Sequence, residues 1–310
     1  MVSPRMTIVT PSYNQAPFLE QTIESVLSQK YPNLQYIIID GGSTDGSVEI
    51  IRRYARHLAY WVSEKDRGQA HAINKGFAEA SRLGGGSENH IHAYINSDDY
   101  YEPGAFACAA EVLGGKSRAW LCGDLRFFDS HGHERFNPYP GDPPAGAPPE
   151  DAFNWFYRYR INQPSAFWTA DLTALYGPFN EDLRYVFDWD FFTRIRFHGR
   201  IAGIPIARVL AHFRLHDASK TVAEGERFAA EIDAIWPAIV RPLPPRERRL
   251  ASERRRYALA DELQVQALDL AKTGRRLAAF RAVADSIRHY PRLLLRRRTL
   301  GCLRRAAAIF

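Results

Sequence analysis

The amino-acid sequence predicts an α/β fold in which a mostly parallel sheet is flanked by helices. Short β-branched segments alternate with helical segments over the first hundred residues, and this alternation is typical of consecutive βαβ units. The segment Tyr36–Asp40 is apolar up to its final aspartate, as expected of a strand buried on both faces of a parallel sheet. A length of 310 residues is enough for one large domain or for a domain with an appendage.

Four strands are predicted where apolar runs end at proline, glycine or polar residues. They are Met6–Thr10, Tyr36–Asp40, Ala59–Val62 and Ile91–Ile95. Helices are predicted between them because apolar residues recur there at every third or fourth position. The first such face consists of Phe18, Leu19, Ile23, Val26 and Leu27.

The alternation weakens after Asp99. The elements predicted there are a strand, a helix and two short strands: Ala119–Phe128, Asp188–His198, Ile201–Ile206 and Val209–Phe213. The segment Pro138–Pro149 contains six prolines and is predicted to be a surface loop or a mobile lid. From Ala223 to the last residue the pattern is helical.

The composition is that of a globular protein, with 45% hydrophobic and 25% charged residues. No apolar stretch approaches the ~18 residues of a membrane-spanning helix, and the start of the sequence does not resemble a secretory signal. The three cysteines, Cys108, Cys122 and Cys302, are widely spaced, which argues against a disulfide framework or a zinc site. We therefore expect a cytoplasmic protein.

The net charge of +6 is an average over two different regions. Residues 241–310 contain 18 Lys and Arg against 6 Asp and Glu, a net charge of +12, whereas residues 1–240 contain 23 basic and 29 acidic residues, a net charge of −6. A basic segment that follows an acidic body needs an explanation of its own.

Polar clusters follow all four predicted strands: Pro11–Asn14, Asp40–Ser43, Glu64–Gly68 and Asn96–Asp99. The carboxyl ends of parallel strands form the ligand-binding edge of such sheets, so the clusters together predict a binding site, although one polar loop alone would not. The absence of GxGxxG and GxxxxGK[ST] patterns argues against a dinucleotide site or a P-loop.

Asp98 and Asp99 are adjacent carboxylates after an apolar strand. They would repel each other unless a cation or hydrogen-bond donors satisfied them, and a divalent cation held together with substrate phosphates is one solution. The alternative is that the pair caps a following helix.

Several motifs together resemble the family 2 glycosyltransferases of GT-A fold. They include Ile8-Val-Thr-Pro-Ser-Tyr-Asn14, Ile39-Asp-Gly-Gly-Ser-Thr-Asp-Gly46, Ser63-Glu-Lys-Asp-Arg-Gly-Gln-Ala70 and Asn96-Ser-Asp-Asp99, followed by Asn162-Gln-Pro-Ser-Ala-Phe-Trp168, Phe187–Arg194 and Phe213–His216 with Ser219-Lys-Thr221. The resemblance implies a GT-A domain over residues 1–222, with a nucleotide-sugar-binding half at 1–115 and an acceptor half at 116–222. Residues 223–310 are then a basic helical extension.

The resemblance further implies a nucleoside-diphosphate sugar as donor, with a UDP-sugar favoured, and Mn²⁺ or Mg²⁺ as cofactor. The residues that would bind the nucleotide sugar are Thr10, Pro11, Tyr13, Asp40, Asp66, Gly68, Asn96 and Asp98. Tyr13 would pack on the nucleoside and Asp40 would accept a hydrogen bond from the base. Asp99, with Asp98 and His216, would hold the metal, although a structural role for the histidine is an equal alternative.

In this family, inversion at the anomeric carbon needs a base on the acceptor hydroxyl, and the resemblance implies Asp188 for this role. Asp190 is the second candidate, and a simple helix-capping role for Asp188 is the alternative. On the acceptor side we expect Gln163, Trp168 and Trp189. Both tryptophans fit the protein core as well as they fit a sugar-stacking role.

The expected function is therefore metal-dependent, inverting transfer of a sugar, of the hexosyltransferase type, to a glycan or lipid-linked acceptor in cell-surface polysaccharide synthesis. The alternatives are a catalytically idle nucleotide-sugar-binding module and a nucleotidyltransferase. The second would have a glycine-rich, basic loop after its first strand, and Pro11–Gln15 contains neither glycine nor a basic residue.

Three interpretations compete for the basic extension. The first is peripheral attachment to the anionic inner face of a membrane, because Ile287 and the leucines at 293–303 alternate with arginine clusters. A solvated or oligomeric helix face is the second. Nucleic-acid binding is the least favoured of the three because the body is acidic and contains no recognised motif.

Overall fold

The computed structural model describes residues 3–84, 88–129, 133–137, 161–216 and 225–291. It divides into two compact units, of which the first contains the described residues up to Ile239 and the second contains those from Val240 onward. The predicted boundary at residue 222 remains a prediction, but in the structure the segment 225–239 groups with the first unit. The predicted proline-rich loop Pro138–Pro149 lies outside the described residues.

The first half of the sheet is parallel, as the sequence predicts. Its strands are β1 (Arg5–Ser12), β2 (Leu34–Asp40), β3 (Tyr60–Ser63) and β4 (His90–Tyr94), and they lie in the order β3-β2-β1-β4. Ser12 of β1 is in register with Asp40, and Asp40 is in register with Ser63 of β3. The carboxyl ends of three neighbouring strands therefore lie side by side.

Three helices connect these strands: α1 (Ala16–Leu27), α2 (Ser47–Tyr54) and α3 (Gln69–Arg82). Their apolar faces cover the sheet, and residues such as Leu19, Ile23 and Phe77 are buried with the apolar residues of β1 and β2. This burial of apolar surface is the main contribution to stability. The helices start directly after the polar loops, so packing of the helices also fixes the loops.

The second half of the sheet is mixed rather than mostly parallel. It contains β5 (Tyr100–Tyr101), β6 (Trp120–Asp129), β7 (Glu134–Asn137), β8 (Ala166–Thr169) and β9 (Ile204–Leu215), and the sheet order continues from β4 as β8-β6-β9-β5, with β7 on β6. Only β6 and β9 are parallel neighbours among these described strands. The two short strands predicted over 201–213 form the single strand β9, whose pairing with β6 shifts register around Asp124.

The helices of this half are α4 (Ala105–Leu113), α5 (Ala170–Tyr176), α6 (Phe187–Phe197) and α7 (Gly225–Val240). The sequence predicts α6 but not α4, β8 or α5. An aromatic core built from Trp120, Trp168, Phe179, Phe191 and Phe192 joins α6 to the sheet. Since α6 carries Asp188 and Asp190, this core anchors the helix that holds both candidate bases.

The second unit is a helical hairpin of α8 (Pro245–Lys272) and α9 (Arg276–His289). Its small core consists of Ala267, Ala282 and Val283, and Ile287 packs against that core. The leucines and arginines at 293–305 lie outside the described residues. Among the described residues, no helix is long and apolar enough to span a membrane.

Candidate active site

Asp40 is the structural centre of the loop that follows β2. Its Oδ2 accepts hydrogen bonds from the backbone of Gly42 (3.1 Å) and Ser43 (2.8 Å) and from the Ser63 hydroxyl (2.7 Å), and its Oδ1 accepts one from the Ser43 hydroxyl (2.5 Å). These four donors match the capacity of a carboxylate. Asp40 is fully buried, so the structure shows it organising the loop. Its predicted bond to a base would require one of these donors to move.

The loops after β1 and β2 are joined by reciprocal hydrogen bonds. The side-chain oxygen of Asn14 accepts the Thr44 N–H at 2.9 Å, and the Asn14 N–H donates to the Ser43 hydroxyl at 2.8 Å. Asp45 accepts the N–H of Ala16 at the start of α1. Burial raises the pKa of Asp45, but hydrogen bonds from Ser47 and Ala16 outweigh this effect and lower it overall.

Tyr13 has the most exposed aromatic ring at this edge of the sheet, with 61% of its surface accessible. Behind it, a side chain on Gly41 would lie 2.8 Å from Asp66 Oδ2 and 3.3 Å from Tyr13 Cδ2, so a larger residue there would displace the Asp66 carboxylate. Asp66 accepts the Gly68 N–H at 2.8 Å, and Gly68 has a φ of +121°, which favours glycine. The structure thus brings Tyr13, Asp66 and Gly68 together, as the resemblance implies.

Thr10 and Pro11 are placed differently from Tyr13. Both are buried in β1, and the Thr10 hydroxyl lies 3.1 Å from the hydroxyl of Tyr36. The side chain of Thr10 therefore belongs to the core beneath the loop and supports the site from below. The buried Ser12 hydroxyl, which is not among the predicted site residues, has no hydrogen-bond partner within the described part of the chain.

A cavity of about 560 Å³ opens beside this cluster. It is lined by residues of the β2–α2 loop, α2 and β3: Ser43, Thr44, Gly46, Val48, Glu49, Arg52, Trp61, Val62 and Ser63. Ser43 and Ser63 also bond to Asp40, so the cavity shares a wall with the Asp40 loop.

The loop after β4 places Asp98 next to His216, 118 residues later in the chain. His216 Nε2 lies 3.0 Å from Asp98 Oδ2, and both side chains retain some exposure, at 14% and 19%. The His216 ring also contacts the Phe18 ring, with centroids 4.9 Å apart. A carboxylate and an imidazole at a partly open position are suitable ligands for a divalent cation.

Asp99 faces inward, unlike Asp98. It is 1% exposed, its Oδ1 accepts the Arg214 backbone N–H at 3.0 Å, and its Oδ2 accepts Asn96 Nδ2 at 3.4 Å. Burial, and then the charge of Asp98, raise the pKa of Asp99 well above its ordinary value, against these hydrogen bonds. Asn96 in turn accepts a bond from Gln69. Asp99 is thus held in the interior, and Asp98 is the aspartate that reaches the open side.

Arg214 fixes this loop from β9. Its guanidinium lies over the rings of Phe18 and Phe128, at 4.6 Å from each centroid, and its Nε donates to the Asp98 carbonyl at 3.1 Å. Its Nη2 donates to Gln21 at 2.5 Å. A planar guanidinium makes stacking and hydrogen-bonding contacts simultaneously.

Among the described residues, no group of three or more His, Cys, Asp or Glu side chains is arranged to hold a metal ion.

Asp188 and Asp190 both lie in the first turn of α6 and are 7% exposed. Asp188 Oδ1 accepts the Trp189 N–H at 2.7 Å. Asp190 Oδ2 accepts Arg194 Nε at 3.0 Å, and Arg194 also donates to the Pro178 carbonyl. Burial raises the pKa of Asp190, although the charge of Arg194 opposes the shift. Asp190 is therefore held in an ion pair with Arg194 of the same helix.

The three acceptor-side candidates are buried. Gln163 donates from Nε2 to the Tyr94 carbonyl at 2.9 Å, and Trp168 donates from Nε1 to the Thr173 hydroxyl at 2.8 Å. Trp168 is 0% and Trp189 is 1% exposed. The sequence left two roles open for these tryptophans, sugar stacking and packing in the core. The structure places both in the core, because neither ring is accessible to a sugar.

Two side chains at this site, Arg214 and Glu231, were not among the predicted site residues. Arg214 lies within the motif Phe213–His216, which the resemblance includes together with His216. Glu231 lies in α7, outside the predicted catalytic domain, and accepts backbone N–H groups at the start of α6. No local pattern in the sequence indicates this contact.

Comparison with known proteins identifies the family of this chain. The family model described as glycosyl transferase family 2 matches residues 7–171. A putative teichuronic acid biosynthesis glycosyltransferase of Bacillus subtilis, TuaG, is 34% identical over 122 residues, which is 38% of this chain and 45% of that protein. The chain spans 42% of the length of the first curated relatives it matches and 45% of TuaG, and it spans 74% of a Rickettsia typhi glycosyltransferase that is 23% identical.

Two solved structures have a similar fold. S. aureus TarS residues 1–349 in complex with UDP-GlcNAc gives a TM-score of 0.61 at 15% identity, covering 92% of this chain and 89% of that one. The mannosyltransferase PcManGT from Pyrobaculum calidifontis, in complex with GDP-Man and Mn²⁺, gives 0.58 at 20% identity, covering 99% and 87%. At such identities the likeness supports the fold alone, and that fold is GT-A. Since the family model matches more than half of its residues, the chain belongs to glycosyl transferase family 2.

Proposed function

We propose that the chain transfers a sugar from a nucleoside-diphosphate sugar to an acceptor hydroxyl, with inversion at the anomeric carbon and with the help of a divalent metal ion. The observation that carries the proposal is the pair formed by Asp98 and His216 at the carboxyl end of β4. A loop that only capped a helix would not need a partly open carboxylate beside an imidazole. The pair lies at the edge of the sheet where Tyr13 is exposed.

The residues fit a metal ion that is held partly by the substrate. Mg²⁺ and related hard cations are commonly bound by one or two protein ligands together with substrate phosphates, and Asp98 with His216 would supply those two ligands. The bound ion would neutralise charge that develops on the diphosphate leaving group. Asp99, which the resemblance assigns to the metal, would instead support Asp98 from the interior, because its carboxylate is committed to Arg214 and Asn96.

Residues of this chain would bind the nucleoside, and the diphosphate of the bound donor would then lie beside Asp98. The exposed Tyr13 ring offers a surface on which a base stacks. The backbone around Gly68 would contribute hydrogen bonds. Asp40 would act mainly through the loop that it holds. A UDP-sugar remains our favoured donor, and the similar structures contain UDP-GlcNAc and GDP-Man.

Asp188 is the proposed base. As the acceptor oxygen forms its bond to the anomeric carbon, the bond from that carbon to the diphosphate breaks and the hydroxyl proton passes to the Asp188 carboxylate. Asp190 is less suited to this role because Arg194 forms an ion pair with it. The acceptor is proposed to be a glycan or lipid-linked sugar of a cell-surface polysaccharide, which is consistent with the printed name of TuaG.

A thermal-shift panel tests this proposal. The full chain is heated with a series of UDP-, GDP- and dTDP-sugars, each with and without Mn²⁺. Because a ligand that binds only the native state stabilises it by about 2.7 kcal/mol at a hundred times its dissociation constant, the correct donor should raise the melting temperature, and Mn²⁺ should increase the shift. No shift with any donor would contradict the proposal.

We also propose that the second unit attaches to an anionic membrane surface. On α9, Leu277 and Phe280 are 68% and 50% exposed and lie one turn apart, and exposed Arg276 and Arg281 flank them. Such a combination of apolar and basic side chains favours the interface of an anionic bilayer.

Vesicle sedimentation tests the attachment. The full chain should sediment with phosphatidylglycerol vesicles at low salt, more weakly at high salt, and not with phosphatidylcholine vesicles. A Leu277→Ser, Phe280→Ser double variant should lose most of this binding. Failure of the unchanged chain to bind anionic vesicles at low salt would overturn the attachment, but not the proposed reaction.

A further inference from the structure

One carboxylate organises the turn that precedes α6. Glu231 Oε1 accepts the backbone N–H of Arg184 at 2.7 Å, and Oε2 accepts those of Tyr185 at 2.8 Å and Val186 at 3.1 Å. Three consecutive backbone donors thus converge on a single side chain 45 to 47 residues later in the chain. Hydrogen bonds to an ionised acceptor are roughly twice as strong as neutral ones.

The same helix, α7, makes further contacts around α6. Arg227 donates to the Tyr185 hydroxyl at 3.0 Å, and the Phe228 ring lies 5.2 Å from the Tyr185 ring. At the other end of α6, His198 Nε2 lies 3.0 Å from the Ile239 carbonyl oxygen. All these residues belong to the first unit. Helix α7 therefore contacts α6 at both of its ends.

The position of the turn determines where α6 begins. Val186 immediately precedes α6, and its carbonyl accepts the Asp190 N–H at 2.8 Å. Asp188 is the second residue of the helix. A carboxylate that fixes the amides of residues 184–186 therefore fixes the direction in which the first turn presents Asp188. Misplacement of a reacting group by about 1 Å costs on the order of a hundredfold in rate.

We propose that Glu231 is a positioning residue for glycosyl transfer, which acts by orienting the first turn of α6 and with it Asp188. This inference rests on the proposed function of Asp188. If Glu231 has this role, the acceptor half of the enzyme extends through α7, beyond the predicted boundary at residue 222. Glu231 itself contacts backbone amides and not the reacting atoms.

Two substitutions of Glu231 in the full chain measure how much its hydrogen bonds contribute to turnover. Glu231→Ala removes all three acceptor contacts, whereas Glu231→Gln retains one carbonyl oxygen, which at the position of Oε2 would still accept the N–H groups of Tyr185 and Val186. We expect kcat to fall about 10- to 100-fold in Glu231→Ala and by a smaller factor in Glu231→Gln. The KM for the donor should stay within about twofold of the original value, because the donor residues lie on other loops. Asp233→Asn, an exposed position on the same helix, is the matched control and should leave kcat unchanged.

Hydrogen–deuterium exchange supplies a readout independent of turnover. The amides of residues 184–186 should exchange faster in Glu231→Ala than in the original chain, and those of the loops after β1 and β2 should not change. A kcat within twofold of the original in Glu231→Ala, or donor binding lost in parallel with kcat in both variants, would overturn the positioning role alone. Absence of donor turnover in the original chain would overturn the proposed function and this role with it.

Discussion

The loops after β1, β2 and β4 reach their conformations differently from the turn before α6. In the β2 loop, Asp40 bonds to Gly42 and Ser43, which lie two and three residues away, and only Ser63 is distant. In the turn before α6, the organising carboxylate belongs to Glu231, more than 40 residues later. The loops after β1 and β2 are thus held by hydrogen bonds between residues at most 32 positions apart, whereas the turn before α6 depends on a residue 45 to 47 positions later.

The β4 loop lies between these two cases. Its aspartates are adjacent in sequence, yet Arg214 and His216 of the β9 region determine which of the two faces the open side. A motif therefore identifies the residue types at a site, whereas contacts from distant segments assign their individual roles.

The largest expected effect concerns the acceptor side. Asp188→Asn should lower kcat for sugar transfer by about 10²- to 10⁴-fold, because the amide cannot accept the hydroxyl proton, while the thermal shift given by the donor stays the same. Steady-state kinetics measured together with that shift provide the check. Asp182→Asn, an exposed position in the preceding loop, should behave like the original chain. If Asp188→Asn leaves both sugar transfer and donor hydrolysis unchanged, Asp188 is not the base, and α6 takes no direct part in the reaction through this residue.

A moderate loss of donor affinity is expected when Arg214, which holds the β4 loop from the distant strand β9, is replaced. Arg214→Lys keeps the positive charge and the backbone bond to Asp99 but loses the planar stack between Phe18 and Phe128. We expect the donor to bind about tenfold more weakly, equivalent to about 1.4 kcal/mol, as measured by isothermal titration calorimetry with Mn²⁺ present. Arg208→Lys, on the same strand and exposed with one backbone hydrogen bond, is the control. Equal donor affinity in Arg214→Lys and the original chain would show that the β4 loop holds its conformation without this stack.

A third expected effect concerns stability rather than activity and involves the sheet beneath both sides. His92 is buried, its Nδ1 lies 2.9 Å from the Thr173 hydroxyl, and its ring stacks on Phe77 with centroids 4.6 Å apart. Burial, and then the neighbouring His90, lower the pKa of His92 well below its ordinary value. The unfolded chain therefore takes up a proton near pH 6.5 that the folded chain does not bind. The contribution of His92 is fully present above about pH 6.5 and is lost as the pH falls, with a slope of up to about 1.4 kcal/mol per pH unit.

Urea unfolding between pH 7.5 and pH 5 measures this slope. His92→Phe should reduce the pH dependence of the free energy of unfolding, and His57→Gln, an exposed histidine, should not. An identical pH dependence in His92→Phe and the original chain would show that the folded protein accommodates the proton on His92.

Much of the first half was predictable because its determinants are local. Runs such as Tyr36–Asp40 and the helical face from Phe18 to Leu27 specify strands and helices through periodicity, and the polar loops follow from chain order. The second half was less predictable. Strand β8 is only four residues long and lies in a motif with no alternating pattern, and the antiparallel pairing of β8 with β4 and β6 is set by sheet packing.

The family, the parallel first half of the sheet and the set of carboxylates at its edge were predictable before folding was considered, because they depend on residue type, spacing and chain order. Three features emerge only in the folded chain: Trp168 and Trp189 lie in the core, Asp98 rather than Asp99 faces the open side, and α7 supports the turn before α6. These three results depend on burial and on contacts between segments far apart in the chain, and neither quantity is encoded in the spacing of a motif.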